Sequence, residues 1–191
     1  MSDKSDKDSV IEFDFSESGD NDKHVVFMEP SFCGTKVPLD HSYVDLFTAY
    51  AETVIDVNLS PGETVVIQKS DIPPFDEWPW NQGLRELYVL TAWNPFSQKL
   101  SAVENAFRQE ALRTLLDQCG AKYLTCNAHS KDGSWTEGSF AIWGVEQGQV
   151  ELWSQQFEQH AYFRIIPASM EVVAVPKEAQ RSTQWHSEKS D

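Results

Sequence analysis

The chain is short of positive charge and of cysteine, and it has no long apolar run. Lys and Arg together number 15 against 30 Asp and Glu, so the 191 residues carry a formal net charge of −15. That balance disfavours a nucleic-acid binder, which neutralises phosphates with clustered Lys and Arg. No stretch approaches the roughly 20 apolar residues needed to span a bilayer, so no membrane association is expected. The opening Met-Ser-Asp-Lys-Ser-Asp-Lys lacks the apolar region of a secretory signal. Cys33, Cys119 and Cys126 form an odd set without paired metal spacing. Reduced thiols in a cytoplasmic protein are the simplest reading. The five histidines, at 24, 41, 129, 160 and 186, show no His-x-x-x-His spacing. Gly-rich phosphate loops, Gly-x-Ser-x-Gly elbows and Walker patterns are also missing. The sequence therefore implies no metal and no cofactor.

What remains is an aromatic, foldable chain. Hydrophobic residues make up 40% and aromatics 12%, seven of them Trp. The length suits one domain with tails and a core that needs no disulfide. Residues 1–40 hold 10 acids and 4 bases, residues 41–176 hold 17 and 8, and residues 177–191 hold three of each. The first segment reads as an acidic, largely disordered tail, interrupted by the apolar pattern Val10-Ile-Glu-Phe-Asp-Phe15. That pattern is either a motif for pairing with a sheet edge or a chance apolar cluster. Residues 177–191 read as a flexible end in which Trp185 has no evident partner. Between the tails, residues 71–83 hold Pro73, Pro74, Trp78, Pro79 and Trp80 and read as an irregular loop.

The domain between them alternates strands and helices. Tyr43 to Tyr50 is a short helix or an extended lead-in. Glu52 to Leu59 and Glu63 to Gln68 are strands joined by the Ser60-Pro-Gly62 turn. Leu87 to Trp93 is a continuous apolar run of strand length, which implies a strand buried on both faces. Ser101 caps a helix running to about Cys119, and Glu104 completes a capping box. Strands follow at 122–128 and 138–145 around an Asp132-Gly133 hairpin turn. A helix over 149–159 and strands at 161–166 and 171–175 complete the pattern. The order predicts an α+β fold: a ferredoxin-like split β-α-β core (β-α-β-β-α-β) with extra strands. Its sheet would be antiparallel or mixed, with helices on one face.

The helix at 101–119 carries the candidate site. Helical projection places Phe107, Ala111, Leu112, Leu115, Leu116 and Cys119 on an inner face, with Gln109, Glu110, Arg113 and Asp117 outside. The inner face also takes Glu104, Asn105 and Arg108. A buried amide or guanidinium costs several kcal/mol, about 2–7 for a neutral group, unless it is paired. Two solutions stand open. One is an internal network tying the helix to the loop before it, with Glu104 spent on the cap. The other is a ligand site, in which the helix N-terminus and Arg108 receive an anionic group, helped by Asn94, Ser97 and Lys99. His129, beside the hairpin, is within range of Glu137 but is expected at the surface. Cys126 reads as a buried apolar residue.

Thr91-Ala-Trp-Asn-Pro95, Ser97, Asn105-x-x-Arg108, Gly120, Trp135-x-Glu137-x-Ser139-Phe140 and Phe157-x-Gln159-x-Ala161 fall in a recognisable order. On these residues the sequence resembles the bacterial domain of unknown function 3293 family over about residues 47–173. The resemblance implies motif positions and a boundary, but no reaction. Its polar positions, Thr91, Asn94, Ser97, Asn105, Arg108, Trp135, Glu137, Ser139 and Gln159, are the expected ligand-binding set. Trp135 would stack on a flat ligand, and Glu137 is the one carboxylate suited to general acid–base work. The expected ligand is small and anionic or nucleotide-like. The alternative is a non-enzymatic interaction domain or scaffold that binds a protein partner through the acidic tail or the Pro/Trp loop.

Overall fold

The protein, seen in a computed structural model, is described over residues 10–13, 25–28, 41–74 and 84–175, with side chains from residue 46 onward in those stretches. Two short strands, β1 (Val10–Phe13) and β2 (Val25–Met28), pair antiparallel. The apolar N-terminal pattern thus meets a strand of its own chain. The rest of the acidic tail, the segment 75–83 with Trp78 and Trp80, and the C-terminal segment with Trp185 lie outside the described residues.

Helix α1 (His41–Ala51) leads into β3 (Val54–Ser60) and β4 (Glu63–Gln68), whose turn passes through Gly62 at φ 86°. Then come β5 (Leu87–Leu90), α2 (Ala102–Gln118), β6 (Lys122–His129), β7 (Thr136–Trp143), α3 (Gln147–Gln156), β8 (Ala161–Ile166) and β9 (Ser169–Ala174). The seven strands from β3 onward form one curled antiparallel sheet in the order β4-β3-β6-β7-β5-β8-β9. The fold is α+β.

Strand β5 lies near the middle of this sheet, and its run of four buried side chains serves both faces. Tyr88 and Leu90 point to one side, where they meet Leu112 and Leu116 of α2 and Val150 and Trp153 of α3. Leu87 and Val89 point to the other, toward Ile55, Ile67, Cys126 and Ile165. Leu112 and Leu116 are fully buried, and cutting such a leucine back to alanine costs about 2–5 kcal/mol. The two helices expected on one face, 101–119 and 149–159, do share it, and the added helix α1 does not. Tyr50 of α1 meets Phe163 edge-on at 6.3 Å, on the opposite side. That second face is apolar along β5 and β8 and needs its own cover.

Helix α2 is also turned relative to its projected inner face. Its inward stripe runs through Asn105, Arg108, Gln109, Leu112 and Leu116, whereas Phe107 is 78% exposed and Ala111 and Cys119 face solvent. The reason is polar. Arg108 and Gln109 find backbone partners beneath the helix, described below, so they compete successfully for the inner positions that hydrophobicity alone gives to Phe107 and Ala111.

Candidate functional site

The polar positions gather around the loop between β5 and α2. β5 ends at Leu90, and the chain then runs without a ladder to Ser101. Side chains replace the missing ladder bonds. Arg108 Nε donates to the Ala92 carbonyl at 2.8 Å, while Gln109 Oε1 accepts from the Ala92 N–H at 3.0 Å. One residue is therefore held from α2 through both its N–H and its carbonyl. Thr91 Oγ1 donates to the Gly138 carbonyl at 2.8 Å and accepts from the Trp93 N–H at 3.0 Å. Gln159 Nε2 donates to the Trp93 carbonyl at 2.9 Å and to the Phe157 carbonyl at 3.0 Å.

Asn94 is the hub. Its N–H donates to Asn105 Oδ1 at 2.9 Å, and its Oδ1 accepts from Asn105 Nδ2 at 3.0 Å and from the Leu100 N–H at 3.1 Å. Its Nδ2 donates to Glu137 Oε1 at 2.7 Å. To do this it adopts left-handed backbone, φ 47°, followed by Phe96 at 48° and Ser97 at 60°. Such conformations in residues other than glycine cost on the order of 1–3 kcal/mol each and persist only where the surroundings enforce them. Pro95–Ser97 form a short 3-10 turn, anchored where the Phe96 N–H donates to the Glu158 carbonyl at 2.7 Å.

Arg108 belongs to this frame. Besides Ala92 it reaches the Phe157 carbonyl through Nη2 at 2.7 Å and Glu158 through Nη1 at 3.5 Å. Its fork is directed at the fold rather than outward. The N-terminus of α2 is closed by the capping box: Ser101 Oγ accepts from the Glu104 N–H, and Glu104 Oε2 accepts from the Ser101 N–H at 2.9 Å. The Ser101 hydroxyl and N–H hold the Glu104 carboxyl below the usual range. The expectation that Glu104 is used by the cap is met. Ser97 and Lys99 are exposed.

Glu137 is different. Burial raises its carboxyl above the usual range, opposed by the hydrogen bond from Asn94. Only Oε1 receives a hydrogen bond from the described residues. Trp135, two residues earlier and so on the same strand face, packs with the apolar cluster beneath the sheet. Ser139 is buried, its hydroxyl 3.4 Å from the Glu137 carbonyl. Gly138 makes room for Trp93: a side-chain carbon there would lie 3.3 Å from the indole Nε1, which is itself buried without a hydrogen-bond partner among the described residues.

Residues 90–162 match the family model described as protein of unknown function (DUF3293). The match supports the resemblance to that family over this stretch. It is narrower than the span over which the resemblance was read, and it encloses all nine polar motif positions. No curated protein and no solved structure matches the chain.

All nine motif positions lie on the loop after β5, the first turns of α2, the start of β7 and the turn after α3. Asn94 joins Asn105 to Glu137, and Arg108 holds the same loop from below, so Glu137 and Arg108 stand at the same end of the sheet. His129 does not approach Glu137 by any hydrogen bond. Its Nε2 lies 3.3 Å from Asp56 Oδ2, and its Nδ1 is 2.9 Å from the Ser130 carbonyl. Cys126 is buried, which pushes its thiol up, and Cys119 is a free exposed thiol. The sequence reading missed Gln109, which the projection put outside, and Glu158, which binds the loop mainly through its backbone. A polar residue next to Arg108 on a helix otherwise short of apolar residues was the available signal for Gln109. Nothing in the sequence marked Glu158. Among the described residues there is no cluster of three or more metal-ligating side chains, and no helix is long and apolar enough to cross a membrane.

Proposed function

We propose that this domain binds a small, flat, polar ligand at the rim of the sheet, with Glu137 as the group that hydrogen-bonds it and exchanges a proton with it. The observation that carries the reading is the state of Glu137. It is a largely buried carboxyl of raised pKa, held on one oxygen only, beside a loop whose strained backbone is locked by six side chains. Strained, over-determined segments and displaced carboxyl pKa values gather at functional sites. Trp135 on the same strand face supports a ring-stacking contact, as a nucleobase-like ligand would use. The guanidinium of Arg108 is committed to carbonyls, so an anionic group on the ligand would be left to Lys99 and Ser97. The acidic tail and the Pro/Trp loop, the alternative carriers of function, fall largely outside the described residues.

The strand order supports a finer reading of the fold. Counting β5 to β8 as one unit, strands one to four lie in the order 2-3-1-4, all antiparallel, with helices after the first and third. We take this as a ferredoxin-like split β-α-β core. The thiols of Cys119 and Cys126 favour a reduced, cytoplasmic setting.

The test is a thermal-shift screen of nucleotides, nucleosides and metabolites against the wild type and Glu137→Gln. The isosteric amide keeps an oxygen for Asn94 and removes the acid. A compound that stabilises the wild type should lose most of its effect on the variant. Equal shifts on both proteins, or none from any compound, would overturn the proposal.

A further inference from the structure

The seven-stranded sheet ends in β4 on one side and β9 on the other, and the two edges are built differently. β4 is a wet edge: Glu63, Thr64 and Val66 are exposed, and Lys69 follows the strand. Charged and polar edges discourage pairing with another chain. β9, Ser-Met-Glu-Val-Val-Ala, is apolar by comparison. Met170, Val172 and Val173 are buried, and Glu171, its one charged residue, is tied to Arg164, accepting from Nη1 at 3.1 Å. The backbone of β9 also has a side turned away from β8. The Val175 N–H donates to the His160 carbonyl at 2.8 Å. Peptide groups alternate direction along an antiparallel strand, so Val173 and Glu171 turn to β8 as well. Met170, Val172 and Ala174 then present N–H and C=O outward. Outward peptide groups set among buried apolar side chains are a template for one more strand.

β2 stands at that position. Its Cα atoms come within 8 Å of those of β9, whereas sheets stacked face to face are about 10 Å apart. β2 is therefore a neighbour beside β9 rather than above it. No ladder among the described residues joins the two: β2 pairs with β1, and the hairpin is a sheet of its own. β2 reads Val25-Val-Phe-Met28, an uncharged run of the residue types that strands favour. The competing occupant is β9 of a second copy, which would bring −15 against −15 and meet like-charge repulsion. β2 is on the same chain, which gives it the advantage of a high effective concentration.

We propose that β9 is a strand-accepting edge and that β2 is its resident strand. The hairpin is a guard: β1 backs β2, and β2 shields β9 from pairing with another extended apolar chain. β5 and β8 lie between this edge and β7, so the guard is independent of the ligand site at Glu137.

Amide exchange and NOE spectra of the full chain test it. In the wild type, backbone NOEs should link residues 25–28 to residues 169–174, and the amides of Met170, Val172 and Ala174 should exchange slowly. Val26→Pro removes a strand N–H from β2 and should speed exchange at those three positions roughly tenfold, while Val89 and Ala141 in the middle of the sheet stay as slow as before. A peptide of residues 22–30 added to the variant should restore slow exchange, and the same peptide with Val26→Pro should not. Missing NOEs in the wild type, unchanged exchange in the variant, or a peptide without effect would each overturn the proposal. Wild-type protection that grows with concentration, with a doubled mass in sedimentation, assigns β9 to a second copy and also overturns it.

Discussion

Arg108→Ala distinguishes a structural guanidinium from a ligand-binding one. Arg108 is 24% exposed at its side chain and donates to two carbonyls, Ala92 at 2.8 Å and Phe157 at 2.7 Å. A hydrogen bond from a charged donor contributes about 1.5–3 kcal/mol. The contact to Glu158, whose side chain is 48% exposed, adds at most about 1 kcal/mol. Truncation leaves both carbonyls without this donor, although water can reach part of the site. The expected loss is about 3–5 kcal/mol, a large share of the 5–15 typical of a domain. In thermal melts that is a fall of about 6–20 °C, at about 2–4 °C per kcal/mol for a chain of this size. Arg108→Lys keeps the charge but cannot span two carbonyls, and should lose about half as much. Urea titrations of the three proteins, compared through midpoints at constant slope, give the answer. If Arg108→Ala matches the wild type within about 0.5 kcal/mol, the guanidinium is not holding this loop. It would then be free for a ligand after all.

Two further outcomes are expected. Because burial raises the Glu137 carboxyl, the folded state keeps that proton to higher pH than the unfolded chain does. Wild-type stability should therefore fall as pH rises from the ordinary carboxyl range through the raised value, and Glu137→Gln should gain on it across that window. A stability difference that does not change with pH in denaturant titrations would refute the burial argument. The Tyr88 hydroxyl is buried beside Glu86 and Arg164 but makes no well-formed hydrogen bond among the described residues, so Tyr88→Phe removes a desolvated group and at most a weak contact. Equal or slightly higher stability is expected, and a loss above about 1 kcal/mol in the same titration would show an unseen partner.

The strands and helices were legible where pattern alone decides them. The apolar run before Asn94 marked a strand buried on both faces, and Ser101 with Glu104 marked the start of α2. The hairpins around Gly62 and Gly133 followed from turn chemistry. The rotation of α2 was not legible, because the hydrophobic pattern assigns Phe107 inward and says nothing about carbonyls left unpaired at Ala92. Only after β5 and α2 are placed together does an arginine and a glutamine become better core residues than a phenylalanine. The same holds for α1, whose opposite-face position depends on the curl of the sheet. The polar motif positions were named from the sequence, but which of them bind backbone was not legible there. Asn105, Arg108, Thr91 and Gln159 turn out to bind the backbone, and Glu137 is the one carboxylate of the set, with a hydrogen bond on Oε1 only among the described residues.

The loop at Asn94 also bears on the order in which the protein assembles. Asn94 binds Glu137 across 43 positions, and Gln159 binds the Trp93 carbonyl across 66. Neither bond can form until β7 and the end of α3 are in place, and contacts between distant positions carry the largest closure entropy. The left-handed turn is therefore a late event in folding, stabilised by a sheet already built. It is also an early event in unfolding. Releasing one distant anchor lets the backbone relax out of its strained conformation, so the amides of Trp93 and Asn94 should exchange with solvent sooner than those of β5 just before them.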